Sequence, residues 1–334
     1  MKPTDIEYIW QSLESDDSLQ SGLLYKRYSP TLMPDIYVAL KAPERLRCIA
    51  FHIDKNHNID LKNWDTLKDI KLETVPDKED SKRKFLLVLL LSSEHIDIFS
   101  SLSEDLILSV ETVASENELI DFLLTRLAKW QAIFEKAGLE GLSLEKQRGL
   151  YGELFFLRRF IENSNNSSNC VASWKGPENA VQDFQAGEWA VEVKTTHGKN
   201  HQKIFITSER QLDTAIVPLI YLFHLSLEIR EEVGETLNEA VMSIRELLSD
   251  NYQVANSFEF KLLQSGYFDS HRSIYSSSAY SIRQLRIYQI TEGFPRITES
   301  QITGGVGDVR YSIVVSDDVP WSIRENELFN QISE

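Results

Sequence analysis

An α+β fold in two domains is what this sequence predicts, on three observations. The first 110 or so residues alternate short apolar runs with turn and charge clusters, the pattern of short strands. A helical period takes over between Asn117 and about Ala137. Beyond it the order is helix, strand, strand, strand, helix, strand, which suits a mixed sheet core flanked by helices. At 334 residues the chain exceeds the roughly 250 residues at which a single hydrophobic core commonly stops growing. Residues 1–137 are therefore expected to form a sheet-rich α+β domain ending in a linking helix, and 138–334 a second domain with a C-terminal extension.

The elements follow in order. Ile36–Leu40, Cys48–Ile53 and Lys84–Leu91 are continuous apolar runs of strand length. Leu119, Phe122, Leu123, Leu127, Trp130 and Phe134 recur at three- and four-residue steps and make the linking helix, which Gly138-Leu139-Glu140-Gly141 breaks. Ser143, three residues before Lys146, starts the next helix, to about Asn163, with Leu150, Leu154, Leu157 and Ile161 on one face. Glu153 falls about 70° from the centre of that face, counting about 100° per residue. A lone acid that close to the core is costly unless it has a task. The polar run Asn163–Asn169 reads as a mobile loop. Strands are expected at 182–185, 189–196, 203–207 and 219–228, with a short helix near 209–213. Helices at 237–248 and 257–264, a strand at 280–291, a turn into a short helix at Gly293–Thr298 and a last strand at 309–315 complete the chain.

Composition narrows the function. No stretch approaches the ~20 apolar residues that span a bilayer, and no apolar leader follows Met1. Cys48 and Cys170 lack disulfide or zinc spacing, so a cytoplasmic protein is the expectation. The formal net charge of −16 opposes nucleic-acid binding by the chain as a whole. Charge turns positive locally, however, at Lys146, Arg148, Arg158 and Arg159 and again at Lys194, Lys199, Lys203 and Arg210, with His197 and His201 among them. The bland reading of these residues is solvated surface.

The segment Asp183–Thr196 carries the chemistry. On a strand, residues two apart share a face, so Glu192 and Lys194 point one way and Val191, Val193 and Thr195 the other. A hairpin turning at Gln185–Glu188 brings Asp183 beside Glu192. Carboxylates converging in this way can hold Mg²⁺, and a lysine beside them meets the negative charge that grows on a reacting phosphate. Acid-x-Lys alone is weak: Asp60-Leu61-Lys62, Asp69-Ile70-Lys71, Asp80-Ser81-Lys82 and Glu259-Phe260-Lys261 also match. The third lies in a charged loop with too little room for a hairpin, and the fourth in a helix, where residues two apart diverge. Glu192 and Lys194 would equally serve a strand face with cross-strand charge pairing. Trp174 and Trp189 offer stacking surfaces but flank core strands, and Asp308 and Arg310 alternate on the last strand as a solvent-facing pair.

Gly149-Leu150-Tyr151-Gly152-Glu153-Leu154, the Trp174-Lys175-Gly176-Pro177 loop, Asp183-Phe184 and Val191–Thr196 together resemble the PD-(D/E)XK nuclease superfamily, and more narrowly an uncharacterised bacterial family placed in it. The likeness extends through Gln211-Leu212 to Glu292–Ile297. It implies a restriction-endonuclease-like core in which Asp183 and Glu192 ligate metal, Glu153 is an auxiliary ligand, Lys194 positions water or stabilises the transition state, and Gln211 assists. Gln182 stands where the name-giving proline would be, a tolerant position.

The resemblance further implies a Mg²⁺-dependent DNA endonuclease, with Mn²⁺ able to substitute, acting as a restriction or phage-defence component. Lys199, Lys203 and Arg210 would touch DNA, partner proteins of a restriction or defence system would supply further affinity, and a homodimer would allow double-strand breaks. The alternative is a catalytically silent DNA-binding or scaffold subunit.

Overall fold

The structure is a computed structural model and describes residues 5–17, 20–61, 69–111, 113–136, 141–198, 202–230, 233–315 and 319–333. Two compact units divide the chain, Met1–Gly138 and Leu139–Glu334. The class is α+β, as expected.

The N-terminal unit is an antiparallel sheet with helices. Its strands β1 (Leu23–Arg27), β2 (Ile36–Lys41), β3 (Leu46–Asp54), β4 (Ile70–Pro76) and β5 (Arg83–Leu90) are ordered β1-β2-β3-β5-β4. Helix α1 (Asp5–Glu14) buries Ile6, Ile9, Trp10 and Leu13, and the Trp10 indole N–H donates to the Ala39 carbonyl at 3.2 Å. Helices α2 (Ile96–Val110) and α3 (Glu116–Lys136) pack together, with the Trp130 N–H donating to Asp105 at 2.8 Å. Neither α1 nor α2 was foreseen in a region read as strands and charge clusters. Their apolar residues do recur at three and four steps, but polar residues interrupt them so often that no run stands out. Asp77–Lys82 is the loop joining β4 to β5, so that charged run closes a hairpin rather than containing one.

The C-terminal unit opens with α4 (Leu144–Glu162), whose Ser143 cap accepts from the Lys146 N–H at 3.3 Å. Next comes α5 (Ser167–Ser173), a correction to the mobile loop expected across Asn163–Asn169: the Asn166 carboxamide accepts from the Asn169 N–H at 3.1 Å and starts a helix that buries Cys170 and Val171. Short polar side chains favour a helix cap as readily as a loop, and the apolar residues after them decided the matter.

The main sheet has the order β10-β11-β9-β7-β6 and is mixed. It is built from β6 (Phe184–Ala186), β7 (Trp189–His197), β9 (Leu219–Arg230), β10 (Glu235–Thr236) and β11 (Ala279–Gln289). Strand β9 runs parallel to β7 and antiparallel to β11, so it is central and almost continuously apolar. Helices α4 and α6 (Leu237–Leu247) cover one face through Leu154, Leu157, Val191, Val193, Phe223, Val241 and Ile244. Helices α7 (Tyr252–Gln264), α8 (Arg272–Tyr275) and α9 (Glu325–Ile332) complete this side. The other face meets a separate ribbon, β8 (Lys203–Ile206) paired with β12 (Tyr311–Val314), through Ile204, Ile206, Leu222, Tyr288 and Ile313. Strand β12 starts later than expected: Asp308 has a positive φ and lies with Arg310 outside the strand, both exposed.

Gly152 fixes how closely α4 approaches β7. A Cβ there would collide with the Thr195 methyl and stand 3.4 Å from a Val193 methyl. Gly149, one turn earlier, has nothing within 4 Å of its Cβ position. Gly152→Ala is therefore expected to cost about 1–3 kcal/mol through overpacking despite the better helix former. Gly149→Ala should instead stabilise by up to about 1 kcal/mol. Urea unfolding of the two variants checks this; equal effects would contradict it.

Candidate active site

Strands β6 and β7 form a hairpin with Ala186 opposite Trp189, which leaves Gly187 and Glu188 as the turn. Gly187 has a φ of 52°, a conformation glycine adopts without penalty. Continuing the register one step beyond Phe184–Val191 sets Asp183 opposite Glu192. One Asp183 carboxylate oxygen accepts the Val193 N–H at 2.8 Å, and its carbonyl accepts from the Lys175 and Gly176 N–H groups at 2.7 and 2.9 Å. The aspartate is thus tied to the neighbouring strand on one side and the Trp174–Gly176 loop on the other.

Glu192 is 1 % exposed. Its Oε1 accepts from Lys194 Nζ at 2.6 Å and from the Gln211 amide at 2.7 Å, while its Oε2 is buried with no hydrogen-bond partner. Gln211 is oriented in turn by the Thr207 N–H and hydroxyl, which donate to its Oε1 at 2.9 and 3.0 Å. Glu153 arrives from α4, half-buried, with Oε2 accepting the Trp174 indole N–H at 2.7 Å. Glu153 Oε2 and Asp183 Oδ1 lie 2.5 and 3.4 Å from the point where a Cβ at Gly176 would stand. Any side chain at Gly176 would push into the carboxylates.

Glu153, Asp183, Glu192, Lys194 and Gln211 thus line one cleft of about 400 Å³, together with Glu145, Arg148, His197, Lys203 and Thr207. Among the described residues no three acidic, His or Cys side chains are already closed around one ligation point. Oε1 of Glu192 is instead occupied by Lys194 and Gln211.

Electrostatics bear on what the cleft can hold. Burial, followed by repulsion from Asp183, raises the Glu192 carboxyl to about 8. Burial raises Asp183 as well, and burial with the Asp183 charge holds Glu153 well above the usual range. Burial pulls the Lys194 ammonium down, but Glu192, Asp183 and Glu153 outweigh it and the net shift is upward. With all groups ionised, three carboxylates face one lysine. An oxygen-only donor set with surplus negative charge and an orphaned Glu192 oxygen fits a hard divalent cation such as Mg²⁺.

The chain matches, over residues 6–316, the model of a protein family described as "Putative PD-(D/E)XK family member" (DUF4420). The chain belongs to this family. No match was found among curated proteins or among solved structures. Membership brings a nuclease-like fold, and the superfamily's name describes, apart from its proline, where Gln182 stands, what the β6–β7 hairpin brings together: an aspartate, then Glu192-Val193-Lys194.

Several surrounding expectations change. Of the DNA-contact residues, Lys203 lines the cleft, whereas Arg210 does not: it is exposed and pairs with Glu299 at 3.4 Å. Lys199 and His201 lie outside the described residues, and His197 lines the cleft. Arg158 binds Glu235, and Arg159 binds Glu325 at 2.9 Å and Glu162 at 2.8 Å, so these two charges serve packing. Trp174 is fully buried against Phe258 and offers no free face to a base, while Trp189 is half-buried, packs edge-on against Phe160 and does not line the cleft.

Two supports were not legible in sequence. Lys261, from the discarded Glu259-Phe260-Lys261 match, donates to the Trp174 carbonyl and to Glu178 at 2.7 Å, anchoring the loop that carries the indole. Gln182, read as a harmless replacement for proline, is buried and donates to the Arg210 and Gln211 carbonyls at 3.2 Å each, holding the turn that presents Gln211. Gln182→Pro, although it restores the superfamily residue, should therefore lower stability by about 1–3 kcal/mol in a thermal melt. An unchanged or higher melting temperature would show that the amide supports nothing.

The sign of the pH dependence follows from Glu192. An acid whose folded-state value, about 8, lies above its unfolded value stabilises fully at low pH and loses that contribution as pH rises through 8. In EDTA, wild type should lose on the order of a few kcal/mol relative to Glu192→Gln between pH 5 and 9. Added Mg²⁺ should flatten the trend. Urea titrations of both proteins across that range measure it, and parallel curves would contradict the assignment.

Proposed function

We propose that this protein is a Mg²⁺-dependent DNA endonuclease, with Mn²⁺ able to substitute, working as a restriction or phage-defence component. The observation that carries the reading is the convergence of Glu153, Asp183, Glu192 and Lys194 on one cleft. Asp183 and Glu192 would hold the metal, with Glu153 as an auxiliary ligand. The bound cation would supply charge neutralisation at the scissile phosphate and acidify a water.

The protein's own groups do the rest. Lys194, kept charged by the acids around it, presents Nζ beside Glu192, where it can orient the attacking water and meet charge growing on the phosphate. Gln211 and Trp174 fix the rotamers of Glu192 and Glu153, so these groups need little reorganisation when substrate arrives. Lys203 and His197, which line the cleft, would touch flanking phosphates.

One observation favours the alternative of a silent scaffold: the net charge of −16, with Arg158, Arg159 and Arg210 all committed to ion pairs. The same observation fits an active subunit that borrows DNA affinity from partner proteins or a second copy of itself.

Plasmid nicking with Mg²⁺ or Mn²⁺ decides between them. Wild type should cut, EDTA should abolish cutting, and Asp183→Ala, Glu192→Ala and Lys194→Ala should each lower the rate by at least about 10²-fold, the scale of losing one transition-state group. Cleavage that survives Asp183→Ala and Lys194→Ala would sink the site. Absence of cleavage with either metal, even alongside partner subunits, would favour the scaffold.

A further inference from the structure

Five of the twelve arginines of the C-terminal unit have an acidic partner among the described residues. Arg158 binds Glu235, Arg159 binds Glu325, Arg210 binds Glu299, Arg230 binds Glu228, and Arg245 binds Glu259 and Asp269. Arg148 is among the others, and it is the one that faces the cleft. It lines the cleft with Glu145, Gly149 and Glu153, its Nε is buried, and that nitrogen has no hydrogen-bond partner among the described residues. A guanidinium cannot shed its charge at any ordinary pH, and a buried N–H without an acceptor is costly. A buried guanidinium N–H left without an acceptor at the mouth of a cleft is a place for an anion from outside.

A second donor lies in the same neighbourhood. The Tyr280 hydroxyl on β11 is buried without a partner, and Tyr280 is close enough to Arg148 to feel its charge. The ring is held by stacking on Tyr151 from α4, 4.5 Å between centroids. Arg148 precedes Glu153 by five residues, about 7.5 Å along the helix axis. That separation takes it out of the carboxylate cluster and sets it about two nucleotide steps away, at about 3.4 Å of rise per nucleotide on a strand.

The geometry points to Arg148 as the clamp for a non-scissile backbone phosphate, one that positions the nucleic-acid strand over the carboxylates without touching the reacting atoms. The assignment rests on the nuclease reading for the identity of its ligand. It divides the labour of the cleft: Lys194 acts in the chemistry, and Arg148 acts in binding and register. A guanidinium fork suits the task because it offers two parallel N–H groups to phosphate oxygens.

Two measurements on the full-length protein test it, both in EDTA so that no turnover occurs. In the first, a fluorescein-labelled 20-base-pair duplex is titrated by anisotropy at several salt concentrations. Arg148→Ala should bind about 10- to 100-fold more weakly. The slope of log affinity against log salt should fall by about one. Arg148→Lys should keep the slope while recovering only part of the affinity. In the second, inorganic phosphate at constant ionic strength should raise the melting temperature of wild type but not of Arg148→Ala. Without phosphate, Arg148→Ala should melt at or above wild type, since it removes a buried N–H that has no hydrogen-bond partner among the described residues.

Unchanged affinity and slope in Arg148→Ala would overturn the clamp. So would a phosphate effect that survives in that variant, or a lower melting temperature for it without phosphate, which would mark a structural role. The phosphate arm separates the two readings. A wild type that never cuts DNA yet shows Arg148-dependent phosphate stabilisation would sink the nuclease alone, whereas a cutting wild type with an indifferent Arg148→Ala would sink the clamp alone.

Discussion

Three carboxylates repel one another when drawn together away from water, and holding Asp183, Glu192 and Glu153 in one cleft is the constraint around which the C-terminal unit is organised. Each is fixed by a different element. Asp183 is tied by the Val193 N–H, Glu192 by Lys194 and Gln211, and Glu153 by the Trp174 indole. None of these bonds removes the repulsion. They orient the oxygens and leave surplus negative charge to be met by a ligand, which is why burial raises all three acids instead of letting them ionise freely.

The supports for that cluster reach well into the fold. Gly152 lets α4 sit close enough to β7 for Glu153 to reach the cleft, and Gly176 leaves room for two carboxylates. Lys261 holds the Trp174 loop from behind, and Gln182 holds the turn carrying Gln211. A site of this kind depends on residues that carry no chemistry, because side-chain direction is set by backbone position one layer further out.

Charge follows a similar division. A protein with 51 acidic and 35 basic residues has few cations to lend to a polyanion, and the fold commits five of the twelve arginines of this unit to ion pairs. What remains facing the cleft is a short set: Lys194 among the acids, Lys203 and Arg148 around them. Under the proposed function, an electrostatic attraction concentrated at one cleft on a repulsive body would make a weak general binder of DNA and would make local phosphate contacts more decisive.

The sequence by itself determined the local features. Strand alternation placed Glu192 and Lys194 on one face, the glycine turn brought Asp183 back across the hairpin, and the apolar stripe of α4 left Glu153 near the core edge, because each rests on periodicities of 2 or 3.6 residues that the chain carries with it. Helices α1 and α2 and the Asn166-capped α5 escaped notice because polar residues break up or precede their apolar positions, so burial against a partner element, not periodicity, settles their form. Only the tertiary structure decided which basic residues face the cleft. Arg148, Arg158 and Arg159 look alike in sequence, yet two meet Glu235 and Glu325 from segments far along the chain while Arg148 lines the cleft and forms no ion pair among the described residues. The roles of Gln182, Trp174 and Lys261 belong to the same class, since a hydrogen bond between residues 20 to 90 positions apart leaves no trace in local spacing.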